Sequence, residues 1–119
     1  MAKRKLPTRR QRLEHINEAI DKLLSFTEDV DYEEFHQDEI KQLAIIKLFE
    51  IIGEATYHLD KEFKKENDHI EWAKMEGLRH ILVHEYYRVD IEILWNTKEL
   101  FLNDLGNDIA DLLRETPSE

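Results

Sequence analysis

The sequence predicts an all-α fold, an antiparallel bundle of four main helices plus a short helical turn, from three features. Glycine (3) and proline (2) are scarce while charged residues reach 37%, a profile of helices rather than of a β-sandwich. Apolar residues recur at three- and four-residue steps along most of the chain. The breaks in that pattern fall where acidic residues can cap a new helix. The 119 residues fit one domain, with a core that a dimer would help to bury.

The elements follow in order. Residues 1–9 hold Pro7 and little apolar content and read as a basic, mobile tail; the helical domain is expected over 10–115 and a frayed end over 116–119. Leu13, Ile16, Ile20, Leu23 and Leu24 form the stripe of a first helix over about 9–27. Asp31 with Glu34 three later reads as a capping box, opening a short turn. A long helix starts near Asp38 and carries apolar positions as far as Phe63. Between 43 and 52 these nearly encircle it, as in a helix buried on most sides. Gly53 costs helix stability, which a close approach of another helix explains. Glu54 beside it is expected to face solvent or serve structure rather than line a site. A third helix runs from about Glu71 to Tyr87. Asp90 caps the last, whose middle Asn103 and Gly106 weaken enough to allow a kink.

Cysteine is absent, which removes both a disulfide framework and a thiolate nucleophile and suits a reducing cytoplasm. No apolar run approaches the ~20 residues of a membrane helix, and no apolar segment follows the basic N-terminus as in a signal peptide. The expectation is a cytoplasmic protein with no membrane association. The net charge of −10 is uneven: residues 1–12 carry six basic groups and no acid, leaving 11 basic against 27 acidic residues elsewhere. Such a body repels nucleic acid at long range. RNA contact would need a local positive site, from Arg79, Arg88 and the N-terminal arm. The acidic surface equally suits a basic partner protein.

Polar chemistry concentrates in Gly77–Tyr87, within which Arg79, His84 and Tyr86 read R-x4-H-x-Y. Arginine offers a permanently charged fork that matches phosphate, and histidine exchanges protons near neutrality. The pair is a minimal kit for cleaving a phosphodiester without a metal. The plainer alternative is an ion-paired arginine and a satisfied core histidine. A third reading takes His80 and His84 as i,i+4 metal ligands with Glu76 one turn earlier, without the H-E-x-x-H arrangement. At about 100° per residue, Arg79 and Tyr86 share a face while Arg79 and His84 stand about 140° apart. One straight helix cannot aim both at a small target; a twofold dimer could gather two of each in one cleft.

The R-x4-H-x-Y of Arg79, His84 and Tyr86 resembles the motif of the HEPN superfamily, in particular the HepT-like toxins of MNT/HEPN toxin–antitoxin pairs. Ile51-Ile52-Gly53-Glu54-Ala55 is similar to the family's I-I-G-E-A, and Ile70-Glu71-Trp72 to its I-P-W, with Glu71 where proline is usual. Trp95, following Val89-Asp90, also fits, whereas His80 stands where asparagine often follows the arginine. The resemblance spans roughly residues 10–114. It implies a homodimer with a composite site at its interface and metal- and cofactor-independent RNA cleavage by 2′-OH attack. It gives His84 the proton transfer and Arg79 the scissile phosphate. His80 would support them as a second donor or phosphate contact. The resemblance also implies an MNT-type nucleotidyltransferase antitoxin that attaches AMP to Tyr86, inhibiting by bulk and like charge; a packing role is the alternative for Tyr86 or Tyr87. The competing function is a non-catalytic interaction or nucleotide-binding subunit of a nucleotidyltransferase.

Overall fold

The computed structural model describes residues 5–117 and contains α-helices with no strand among them. They are α1 (Arg9–Phe26), α2 (Tyr32–Gln37), α3 (Glu39–His58), α4 (Lys61–Glu66), α5 (Trp72–His84) and α6 (Ile91–Glu115), with a 3₁₀ turn at Tyr86–Arg88. The all-α bundle expected from the sequence is therefore found, with more breaks than expected.

Side-chain caps set most of the starts. Thr8 and Gln11 close a reciprocal box: Thr8 Oγ1 accepts the Gln11 N–H at 3.1 Å and Gln11 Oε1 accepts the Thr8 N–H at 2.9 Å. Thr8, which the sequence reading leaves in the tail, is thus the cap of α1; residues 1–4 lie outside the described residues. Asp31, Asp38 and Asp60 each accept the N–H three residues on, at 2.9–3.1 Å. Asp90 accepts that of Glu92 at 2.9 Å. At Asp31 only this half of the expected box forms.

Asp60 also corrects the long helix. The apolar pattern carries on to Phe63, but the backbone turns extended at Leu59 and Asp60, and a separate α4 begins. A cap at Asp60 offers orphan N–H groups a carboxylate, and Arg9 secures it with an ion pair at 3.0 Å. Burial pushes the Asp60 carboxyl up, yet the Phe63 N–H and Arg9 together hold it below its usual value. α6 is a single helix through Asn103 and Gly106; Gly106 lies where its Cβ would meet Ile20 of α1 at 3.4 Å.

Helix α3 lies between α1 and α5, and α6 packs along α1. Leu13, Ile16, Ile20 and Leu23 of α1, Phe49 and Ile52 of α3, and Leu102 and Ile109 of α6 are fully buried. Each such side chain contributes about 1.5–3 kcal/mol of burial. Trp95 packs on Phe35 at 5.1 Å between ring centres, anchoring α2 to α6. Arg10 donates to the carbonyl oxygens of Leu113 and Thr116, fastening the end of α6 to the start of α1.

The outward side of α3 is unusual. Ile40, Leu43, Lys47, Glu50, Glu54 and Tyr57 follow a three–four spacing along one stripe, with Ile40 80% and Leu43 59% exposed. Its ends are apolar and its middle charged.

Candidate active site

Gly53 fixes the seam between α3 and α5. A Cβ placed there would lie 2.4 Å from Arg79 Cβ and 2.9 Å from the Met75 carbonyl oxygen, closer than real packing allows. The expected close approach is thus present, and the residue it admits is Arg79. Because Gly53 brings the two backbones together, its neighbour Glu54 reaches that arginine: Arg79 Nε donates to Glu54 Oε2 at 2.6 Å. The guanidinium also lies over the Tyr57 ring, 4.5 Å from its centre, a favourable placement for a cation. The Arg79 hydrogen bond, with help from His58, holds the Glu54 carboxyl below its usual value against the opposing effect of burial. His58 Nε2 lies 2.9 Å from Glu54 Oε1.

Only Nε of Arg79 is engaged among the described residues, so the Nη1/Nη2 edge keeps its donors. That edge is the planar fork that suits phosphate. Glu54 therefore orients the arginine without using its fork. The expectation that Glu54 faces solvent or serves structure understates this: it is half exposed and bound to the motif arginine.

The histidines lie elsewhere on α5. His84 is the last residue of the helix and exposed; its ring centre lies 5.1 Å from that of His80, also exposed. Neither is a core histidine. Among the described residues no hydrogen bond joins Arg79 to His84, in keeping with their angular separation. Glu85 ends the helix at φ −129°, ψ 44°. Its carboxylate takes Arg88 at 2.7 Å and stands 3.7 Å from His80 Nε2.

Tyr86 does not share a helical face with Arg79 as the spacing suggests, because α5 stops at His84 and Tyr86 begins the 3₁₀ turn. Tyr86 and Tyr87 meet edge to face at 5.9 Å and are 75% and 73% exposed, so neither packs into this chain. Glu76 does not stand with the histidines as a ligand; it accepts from Lys64 Nζ, which also donates to the Thr56 carbonyl.

The sequence reading weighed Glu54 as a site residue and favoured solvent or structure for it, and it passed over Tyr57. The available signal was Gly53: the residue next to a helix-crossing glycine is carried into the seam. The chain is a helical bundle in which a buttressed arginine stands five residues before an exposed histidine.

The family described as Ribonuclease HepT-like matches residues 16–112. The chain belongs to this family of HEPN ribonucleases, as its motif residues indicated. It is 40% identical over 85 residues to "Probable ribonuclease HepT" of Thermococcus cleftensis, covering 71% of this chain and 77% of that one. It is 38% identical over 80 residues to a "Putative RNase" of Methanocaldococcus jannaschii, covering 67% and 73%. A "Putative RNase" of Caldanaerobacter subterraneus subsp. tengcongensis is 31% identical over 110 residues, 92% of this chain and 98% of that one. No solved structure is a significant match.

Proposed function

We propose that the protein is a metal-independent endoribonuclease and the toxin of a toxin–antitoxin pair, with Arg79 and His84 as its catalytic residues. The observation that carries this reading is the state of Arg79: fixed through Nε by Glu54, with no hydrogen bond on its Nη1/Nη2 edge among the described residues, in a chain of a ribonuclease family. The 2′-hydroxyl of the substrate attacks the adjacent phosphorus and His84 takes its proton. The new 2′-oxygen–phosphorus bond leaves a cyclic phosphate as the bond to the 5′-oxygen breaks. That oxygen receives its proton from an acid, the His84 of a second copy. Arg79 neutralises charge on the non-bridging oxygens. His80, beside His84, supports the phosphate or a proton.

Two copies pair through the outward stripe of α3. Its exposed Ile40 and Leu43 are apolar surface a monomer would not favour, and its charged middle contains Glu54, next to Arg79. Pairing there gathers two arginines and two histidines around one cleft and removes the angular mismatch within each helix. Tyr86, exposed at the edge of the motif, is the target of an MNT-type nucleotidyltransferase antitoxin; attached AMP adds bulk and negative charge where RNA phosphate must pass.

The test is induced expression of wild type, Arg79→Ala and His84→Ala without the partner, followed by growth and RNA integrity. Growth arrest with RNA cleavage in wild type alone is expected. The ion pair with Glu54 favours one competing reading, in which Arg79 serves structure in a non-catalytic partner subunit. Wild type that folds, dimerises and leaves RNA intact would establish that reading instead.

A further inference from the structure

Arginine and carboxylate commonly pair at two points, through parallel N–H···O bonds that use both carboxylate oxygens. Arg79 and Glu54 do not. Arg79 Nε donates to Glu54 Oε2 at 2.6 Å, and among the described residues neither Nη atom bonds the second oxygen. That oxygen has another partner: His58 Nε2, four residues along α3, lies 2.9 Å from Oε1. The Arg79 hydrogen bond, helped by His58, holds the Glu54 carboxyl below its usual value. Glu54 is therefore an ionised acceptor at neutral pH, and His58 is the donor whether its ring is neutral or charged. Tyr57 closes the cluster: its ring lies under the Arg79 guanidinium, 4.5 Å from it, and meets the His58 ring edge to face at 5.1 Å. All four side chains belong to one chain, so these contacts form without a second copy.

We infer that His58 is a positioning residue: by occupying the second oxygen of Glu54 it keeps the Nη1/Nη2 edge of Arg79 open for phosphate. The inference rests on the ribonuclease reading and deepens it, since an open edge matters only to a substrate phosphate. Without His58, rotation about the terminal bond of Glu54 brings Oε1 to Nη2, and the carboxylate takes the guanidinium side-on. A phosphate must then displace it. If the open arrangement falls to about a tenth of the population, apparent affinity falls about ten-fold, in proportion to the fraction still competent. Chemistry in the bound complex is unchanged, because bound phosphate restores the one-point contact. The signature is a raised KM with kcat kept.

The test compares wild type, His58→Ala and His58→Gln in the full chain, by crystal structure and by cleavage kinetics on one short single-stranded RNA. His58 is exposed, so neither substitution opens a cavity in the core. Glutamine sets a neutral N–H where His58 Nε2 stands and should rescue the contact. His58→Ala is expected to show Glu54 in two-point contact with Arg79 and a KM raised about ten-fold, with kcat within about two-fold of wild type. His58→Gln should keep the one-point contact and a KM within about two-fold of wild type. A one-point contact that persists in His58→Ala, or an equal rise of KM in both variants, would overturn the inference. The two readings fail separately. Wild type that cuts RNA, with contact and KM unchanged in His58→Ala, removes the role of His58 and leaves the ribonuclease. Wild type that never cuts removes the ribonuclease, and the crystal structure of His58→Ala still decides whether His58 holds Glu54 off the open edge.

Discussion

Arg79 Nε donates to Glu54 Oε2 at 2.6 Å across a seam so narrow that Gly53 has no room for a Cβ. The same contact organises packing and site: the glycine admits the arginine, and the acid beside the glycine orients it.

Gly53→Ala should therefore cost stability while Gly77→Ala should add it. At position 53 the new methyl meets Arg79 Cβ and the Met75 carbonyl, both tied to the α5 backbone, an overpacking worth about 1–3 kcal/mol. At position 77 nothing lies within 4 Å, and alanine in a helix interior gains about 0.5–1 kcal/mol. Denaturant unfolding of both variants checks the pair; equal shifts would contradict the seam.

Glu54→Gln should remove part of the acid sensitivity of the fold. The Arg79 hydrogen bond depresses the folded-state pKa of Glu54. Its contribution is then complete above the unfolded carboxylate value of about 4.3 and is lost as pH falls through the lower folded value. Wild type should exceed the variant in stability at pH 7, with the difference closing as pH falls below about 4. Unfolding curves at a series of pH values test this, and a difference that persists unchanged at pH 2 would refute it.

Arg79→Lys should retain folding and lose most cleavage. Lysine keeps the charge but has neither the Nε that Glu54 holds nor a planar fork. A fall of about 10²-fold in kcat is expected, the scale for losing one transition-state donor. Activity within about three-fold of wild type would remove bidentate phosphate contact from the proposal.

Thr8→Ala should lower stability by about 1 kcal/mol through loss of the capping box. A fall of about 4 °C in Tm would accompany it. No change would mean that the ordered chain begins after the cap.

On the proposed reading, co-expression with an MNT-type nucleotidyltransferase should add one AMP to wild type and to Tyr87→Phe, and none to Tyr86→Phe, by intact mass. Both phenols are exposed, so accessibility alone does not choose between them, and addition to Tyr86→Phe would reassign the target.

Much of the bundle was legible because burial imposes period. The stripe from Leu13 to Leu23 placed α1 within a residue of its observed end, and Asp90 marked the start of α6. The break at Leu59–Asp60 was not legible in that signal. Leu59 and Phe63 are both buried, so hydrophobicity continues across a point where the backbone leaves the helix. The end of α5 at His84 was hidden in the same way, since Glu85 is an ordinary helix residue by propensity. For the site, types and spacing singled out Arg79 and His84, and Gly53 foretold a close contact. What one helix cannot reveal is its neighbour: Glu54 and Tyr57 meet Arg79 through tertiary packing 25 and 22 positions away in sequence.

The Gly53 seam also separates a fixed part of the motif from an exposed one. Arg79 of α5 sits where the backbones of α3 and α5 come closest, and Glu54 and Tyr57 hold its guanidinium, so little of its conformational entropy would remain to be lost on binding a phosphate. His84, Tyr86 and Tyr87 lie beyond that seam, at an exposed helix end followed by a single 3₁₀ turn. On the proposed ribonuclease reading, Arg79 would then be a preorganised anchor for phosphate, and the exposed helix end would supply the second half of the contact.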